Sequence, residues 1–258
     1  MRLSKPILSL QDIKLYFAKG RFRTEILNDI SFDAYKDEFL SIIGPSGCGK
    51  SSLIRIICGL LQPTSGEVIY KGAEVTSPPK GMSLVFQDFA LLPWLTALEN
   101  VKLALSDSTD SEDKKERRAS EMLSIVGLKA SHETYPHELS GGMRQRVGIA
   151  RALVSNPEVL LMDEPFSSLD AITADELRKE TRHILKSSKT PVKLVIMVSH
   201  SVEEVIEISD RIIALTSPPT RVIDDIDVQM RYPRNTRSKS FYHLEKRLYG
   251  DLQYAMKR

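Results

Sequence analysis

The chain has 258 residues, with 36 Lys and Arg against 34 Asp and Glu and a formal net charge of +2. Hydrophobic residues make up 41% and charged residues 27%, the balance of an ordinary globular protein, which excludes collagenous, disulfide-scaffold and disordered classes. The small total charge conceals a segregation. The tail, residues 231–258, carries Arg231, Arg234, Arg237, Lys239, Lys246, Arg247, Lys257 and Arg258 against Glu245 and Asp251, so it is basic and the preceding body mildly acidic. Two cysteines, Cys48 and Cys58, point to a reducing compartment. The N-terminal residues lack the apolar core of a signal peptide, and the longest apolar runs have strand length. A soluble protein is expected, whose membrane contacts go through a partner.

In chain order, Ile7–Phe17 and Glu25–Tyr35 read as paired β-strands joined by a polar turn around Lys19–Arg23. Phe39–Ile43 is an apolar run ending in a Gly-rich loop, and Ser51–Leu61 follows with helical spacing. Met82–Phe86, Val159–Met162, Leu194–Val198 and Arg211–Leu215 are further strands, rich in Val, Ile and Leu. Residues 88–153 read as helical, with the charged stretch Ser106–Ser120 a loop entering an exposed helix and Gly127 a possible cap. Strands alternating with helices predict an α/β fold with a largely buried sheet. The tail places Phe241, Leu244, Leu248, Leu252 and Ala255 on one helical stripe, which predicts an amphipathic helix packed on its own domain.

Three motifs carry chemistry. Residues 44–52 (Gly44, Pro45, Ser46, Gly47, Cys48, Gly49, Lys50, Ser51, Ser52) fit G-x-x-x-x-G-K-[ST]. Its glycines let backbone N–H groups turn inward around phosphates, and the following helix adds its N-terminal dipole. Lys50 supplies a mobile cation to the β/γ-phosphates and Ser51 a hydroxyl to Mg²⁺. A dinucleotide fingerprint is excluded, because Ser52 stands where its third glycine belongs. In Val159–Pro165, an apolar strand ends in Asp163, suited to hold Mg²⁺, and Glu164, suited to polarise an attacking water as general base. At Leu139–Arg146 the sequence reads LSGGMRQR, with Ser140 a natural N-cap and Gly141 and Gly142 opening the backbone at the start of a helix that runs to Leu153.

Together these motifs resemble the ATP-binding subunit of ABC transporters. The resemblance implies a RecA-like P-loop NTPase core with an N-terminal antiparallel β-subdomain and an inserted helical subdomain. In that reading residues 8–230 form the nucleotide-binding domain (core 8–87 and 154–230, helical subdomain 88–153), followed by the tail 231–258. It also implies ATP and Mg²⁺ as cofactors and a head-to-tail homodimer in which Ser140, Gly141 and Gly142 close on the partner's ATP. Gln87 matches the glutamine that ligates Mg²⁺, Asp170 the loop that crosses the dimer interface, and His200 the switch histidine near the γ-phosphate. Phe17 matches the aromatic that stacks on adenine, with Tyr16 the competing choice. Leu91–Val101 and Ser217–Val228 resemble the nitrate/sulfonate/taurine importer group. The implied partners are two transmembrane permease subunits and, indirectly, a solute-binding protein, with the chain peripheral on the cytoplasmic face of the cell membrane. The region of Pro93 and Trp94 is then either a groove for the permease or local packing. No nucleic-acid partner is expected, and a soluble ABC ATPase acting on ribosomes or nucleic acid is the alternative function.

Overall fold

The computed structural model describes residues 5–19, 22–187 and 190–256. Gly20 and Arg21 of the expected first turn, and Lys257 and Arg258 of the basic tail, lie outside the described residues. In chain order the elements are β1 (Leu8–Lys19), β2 (Phe22–Ala34), β3 (Glu38–Ile43), α1 (Lys50–Ile57), β4 (Ser65–Tyr70), β5 (Ala73–Glu74) and β6 (Met82–Val85). Then follow α2 (Ala97–Lys102), α3 (Glu112–Ile125), α4 (Gly141–Leu153), β7 (Val159–Asp163) and α5 (Ala171–Lys186). The chain ends with β8 (Leu194–Ser199), α6 (Val202–Ile208), β9 (Arg211–Leu215), β10 (Val222–Asp227) and α7 (Lys239–Met256). They fall into two compact units, residues 1–79 with 193–258, and residues 80–192.

The first unit contains an antiparallel sheet in the order β2-β1-β4-β5. Burial in β1 runs Leu8, Leu10 and then Ile13, Leu15; in β2 it runs Leu27 and then Ile30, Phe32, Ala34. Each shift of parity marks an irregular register, and Asp12 (φ 52°) and Asp29 (φ 60°) take the left-handed backbone that a bulge requires. Gly66 of β4 (φ +83°) faces the first bulge so closely that a Cβ there would lie 2.4 Å from the Gln11 and Asp12 carbonyl oxygens. Gly66→Ala is therefore expected to destabilise the protein by about 2–4 kcal/mol, through strain plus a backbone clash, measured as a lowered denaturation midpoint at unchanged m.

In the same unit β3 is flanked by β8 and β9, both parallel to it, and β10 pairs antiparallel with β9. Every residue of β3, β8 and β9 is buried, as expected of strands covered on both faces. Arg211, at the start of β9, fixes this edge. It donates to Asp225 of β10, to the Asp33 carbonyl of β2 (2.7 Å) and to Glu38 of β3 (3.5 Å). The Asp225 partnership raises its pKa further, against the effect of burial. The expected amphipathic tail helix is α7. Phe241, Leu248 and Ala255 are buried, and Arg247 pairs with Asp224 of β10 at 2.6 Å.

The second unit pairs β6 with β7 in parallel and packs α2, α3 and α4 around Val101, Leu123, Val147 and Leu153. Thr96 and Glu99 form a capping box at α2. Asn100 is wholly buried; its side chain accepts from Leu92 N and donates to the carbonyls of Leu92, Leu95 and Thr96. Before α3, Asp110 accepts from Lys114 (2.5 Å) and Arg118 (2.6 Å), and Arg118 also donates to the Val154 carbonyl beyond α4. Lys114 and then Arg118 hold the Asp110 carboxyl down at about 2. Because the folded value lies below the unfolded one, the stabilisation is complete above the ordinary carboxylate range and is lost as pH falls toward about 2. Asp110→Asn is thus expected to lower the melting temperature at pH 7, the difference from the parent closing as pH approaches 2. No helix among the described residues is long and apolar enough to cross a membrane.

Candidate active site

The sheet register brings the motif residues of each unit together. In the first unit Ile43 of β3 pairs with Ser199 of β8, so the Gly44–Ser52 loop and His200 leave the C-terminal ends of adjacent parallel strands. Ligands of open α/β sheets bind at these ends. The loop is built as its motif demands. Gly49 (φ +97°) is the N-cap of α1 in a left-handed conformation, and a Cβ there would lie 2.8 Å from Ile26 Cγ2. At Gly44 a Cβ would lie 2.8 Å from Cys48 Sγ. No side chain caps α1 and no acid lies in its first turn, so its N–H groups and dipole favour an anion. The Lys50 side chain is buried and its amine donates to the carbonyls of Gly44 (2.9 Å) and Pro45 (3.0 Å), which holds the cation within the loop. Ser46 and Gly47 form the exposed rim, and His200 is exposed between β8 and α6. Ser199, whose hydroxyl donates to Glu204 and accepts from Ser201 N, fixes the turn that carries His200.

Phe17 and Tyr16 are separated by their surroundings. The Tyr16 hydroxyl donates to Glu25 at 2.7 Å, a bond that raises its pKa, and Arg23 lies 4.0 Å over its ring. The Phe17 ring is half exposed, which leaves it the more accessible stacking platform.

In the second unit Val85 of β6 pairs with Met162 of β7, so Gln87 and the Asp163–Glu164 pair also emerge from neighbouring strand ends. Asp163 is buried, Gln87 is exposed, and Glu164 is partly exposed with φ 44°. The Glu164 carbonyl accepts from Ser167 N and Oγ (3.3 and 2.9 Å), which fixes the turn beneath its side chain. Ser140 caps α4 by accepting from Met143 N. A Cβ at Gly141 would lie 3.0 Å from Leu169, and one at Gly142 2.9 Å from Thr173, so these glycines let α4 approach the Leu169–Thr173 turn. That turn is capped by Asp170, which accepts from Thr173 N (3.0 Å) and Oγ1 (2.7 Å); the Thr173 backbone bond is the chief cause of its lowered pKa. Asp170, expected in an interface loop, is thus also the N-cap of α5, a role that its family match does not imply.

Two further residues support these loops from outside the phosphate, strand-end and LSGG motifs. Arg151 of α4 forks onto the carbonyls of Phe89 (2.7 Å) and Ala90 (2.6 Å), two consecutive left-handed residues at φ 63° and 45°. Thr220 donates its hydroxyl to the Cys48 carbonyl at 2.5 Å, inside the first loop.

Residues 27–167 match the family model described as ABC transporter. The chain belongs to the ABC transporter family. It is 39% identical over 250 residues to the aliphatic sulfonates import ATP-binding protein SsuB of Bacillus cereus, covering 96% of each chain. It is 39% identical over 246 residues to the uncharacterized ABC transporter ATP-binding protein MJ0412 of Methanocaldococcus jannaschii, covering 95% of this chain and 91% of that one. It is 42% identical over 210 residues to the nitrate import ATP-binding protein NrtC of Synechococcus elongatus, covering 81% of this chain and 31% of that one. Among solved structures, a dimeric post-hydrolysis state of the ATP-binding cassette MJ0796, bound to ADP and Pi, matches with a TM-score of 0.76 and 31% identity. That match covers 87% of this chain and all of the cassette. This ABC chain is accordingly an ATP-binding, ATP-hydrolysing cassette with a mixed α/β core and an antiparallel β-subdomain.

Proposed function

We propose that this cassette powers import of a small solute, of the nitrate, sulfonate or taurine kind, through a membrane permease. The carrying observation is the paired emergence of Gly44–Ser52 with His200, and of Gln87 with Asp163–Glu164, at parallel strand ends. The relatives named as sulfonate and nitrate import subunits support the direction of transport and the solute class. In this reading the nucleotide-binding domain spans residues 8–230, with residues 88–153 its helical subdomain.

Gly44, Pro45, Ser46, Gly47, Cys48, Gly49, Lys50, Ser51 and Ser52 bind the ATP phosphates, and Phe17 stacks on adenine. Ser51, Gln87 and Asp163 would hold Mg²⁺. They are all oxygen donors and include one buried carboxylate, a set suited to an ion that completes its coordination with phosphate and water. Bound there, the metal would neutralise phosphate charge. Glu164 accepts the proton of the attacking water and His200 orients it, so catalysis is mostly positioning and electrostatics. Two copies assemble head to tail, and Ser140, Gly141, Gly142 and Asp170 of one act on the nucleotide of the other; the dimeric cassette structure supports pairing of two copies.

Trp94 is 69% exposed, which argues for the partner groove over local packing. A groove of about 360 Å³ in the same unit, lined by Phe86, Ala90, Leu103, Ala104 and Arg151 among others, offers a short permease helix a largely apolar seat. Membrane association is then peripheral, through two permease subunits, with the solute-binding protein acting on those. Co-expression with a permease and a solute-binding protein of the nitrate/sulfonate/taurine kind from the same genome tests the reading. The expected result is a stable complex whose ATPase rises with liganded binding protein. Failure to associate, or co-purification with ribosomes instead, would reject it.

A further inference from the structure

Thr220 lies in the β9–β10 connection, far in sequence from the Gly44–Ser52 loop, and is wholly buried. Its backbone is held on β2 from both sides: Thr220 N donates to the Ile26 carbonyl and Asn28 N donates to the Thr220 carbonyl, each at 2.9 Å. From that anchored position its hydroxyl donates to the Cys48 carbonyl at 2.5 Å. The same β2 segment dictates the residue that follows Cys48. A Cβ at position 49 would lie 2.8 Å from Ile26 and 3.0 Å from Leu27, so glycine is obligatory there.

Glycine brings a difficulty of its own. Rotating the Cys48–Gly49 peptide plane end over end changes chiefly ψ of Cys48 and φ of Gly49, and glycine accepts either sign of φ. The peptide that contributes the Gly49 N–H to the loop is thus free of the steric control that a side chain would impose. In a trans peptide C=O and N–H point in opposite directions. A bond that draws the Cys48 carbonyl toward buried Thr220 therefore turns the Gly49 N–H away from the core, toward the side of the loop where Ser46 and Gly47 are exposed.

We propose that Thr220 is a positioning residue for nucleotide binding, its hydroxyl locking the Cys48–Gly49 peptide with the Gly49 N–H presented to the phosphates. The inference rests on the reading of Gly44–Ser52 as the phosphate loop. Preorganised N–H donors bind an anion without reorganisation at the moment of binding, so losing the lock weakens affinity and leaves the chemistry of the bound state largely intact.

The test compares Thr220→Val, which keeps shape and both backbone bonds but removes the hydroxyl, with Thr220→Ser, which keeps the hydroxyl. Titration with ATP and steady-state ATPase measurements give Kd, KM and kcat, and thermal melts report stability. Thr220→Val is expected to raise the Kd and KM for ATP about five- to tenfold, with the loss in KM rather than kcat. Thr220→Ser is expected to stay within about twofold of the parent. An unchanged ATP affinity in Thr220→Val, with only a lower melting temperature, would reduce Thr220 to a structural residue and overturn the proposal. A Thr220→Ser variant as impaired as Thr220→Val would overturn it too, since shape and not the bond would then matter. Should Thr220→Val not fold, Thr220→Ala against Thr220→Ser makes the same comparison. Lys50→Ala separates this failure from that of the underlying reading: if it binds ATP as tightly as the parent, the phosphate-loop assignment fails, whereas weakened Lys50→Ala beside normal Thr220→Val rejects Thr220 alone.

Discussion

Glu164→Gln should lower ATP turnover by about 10²–10⁴-fold while ATP still binds, because the amide keeps the shape of the carboxylate but cannot take a proton from water. The local structure makes this a clean substitution. Glu164 follows β7, its backbone turn is held by both donors of Ser167, and its side chain is partly exposed, so the isosteric change leaves Asp163 and the strand undisturbed. In the head-to-tail reading, slow hydrolysis should also let ATP accumulate a dimer that the parent forms only transiently. Single-turnover hydrolysis, nucleotide binding and size-exclusion chromatography with ATP measure the three quantities. Near-normal turnover would remove Glu164 from the role of base. Slow turnover with lost ATP affinity would make it a binding residue.

Lys50→Ala should act at the earlier step, raising the Kd for ATP by about 10²-fold, as expected when a preorganised cation facing an anionic ligand is removed. The Lys50 amine sits on the Gly44 and Pro45 carbonyls, so it belongs to the loop itself and is not a mobile surface charge. Its loss removes both the charge offered to the phosphates and a brace across the loop. Equilibrium titration checks the affinity, and a thermal melt in the absence of nucleotide separates lost binding from lost folding. Unchanged affinity would count against the phosphate-loop assignment. The two variants should thus divide the ATPase cycle: Lys50→Ala is impaired in binding, and Glu164→Gln binds but turns over slowly.

Much of this architecture is legible because its local signals are strong. The buried runs Phe39–Ile43, Val159–Met162 and Leu194–Val198 appear as β3, β7 and β8 within a residue at either end, since strands covered on both faces have little choice but continuous apolar residues. Ser140 caps α4 as its position before two glycines suggests. Other elements lack such signals. The β4 sequence SGEVIY has only two fully buried positions, and β10 is acidic and pairs on one side with β9 among the described residues. The β4 pairing with β1 joins segments distant in sequence, and the acidic β10 offers no apolar alternation to mark its pairing with the preceding strand, so short-range pattern registers neither. The irregular registers of β1 and β2 come from the structure alone, with Gly66 packed against the Gln11 and Asp12 carbonyls at the first of them.

The motif residues, their order and the family were determined by the sequence alone, because phosphate chemistry requires small residues, a cation and a hydroxyl at fixed local spacing. Tertiary structure decided which strand ends stand side by side, which aromatic is left accessible near the N-terminus, and what supports the loops. Ile43 beside Ser199, the occupied face of Tyr16, Arg151 on the Phe89 and Ala90 carbonyls, and Thr220 on Cys48 all depend on partners brought together by folding. A hydrogen bond between residues 172 positions apart leaves no periodicity or spacing to read. The chemical groups are therefore written locally in the chain, and their orientation is set by long-range packing.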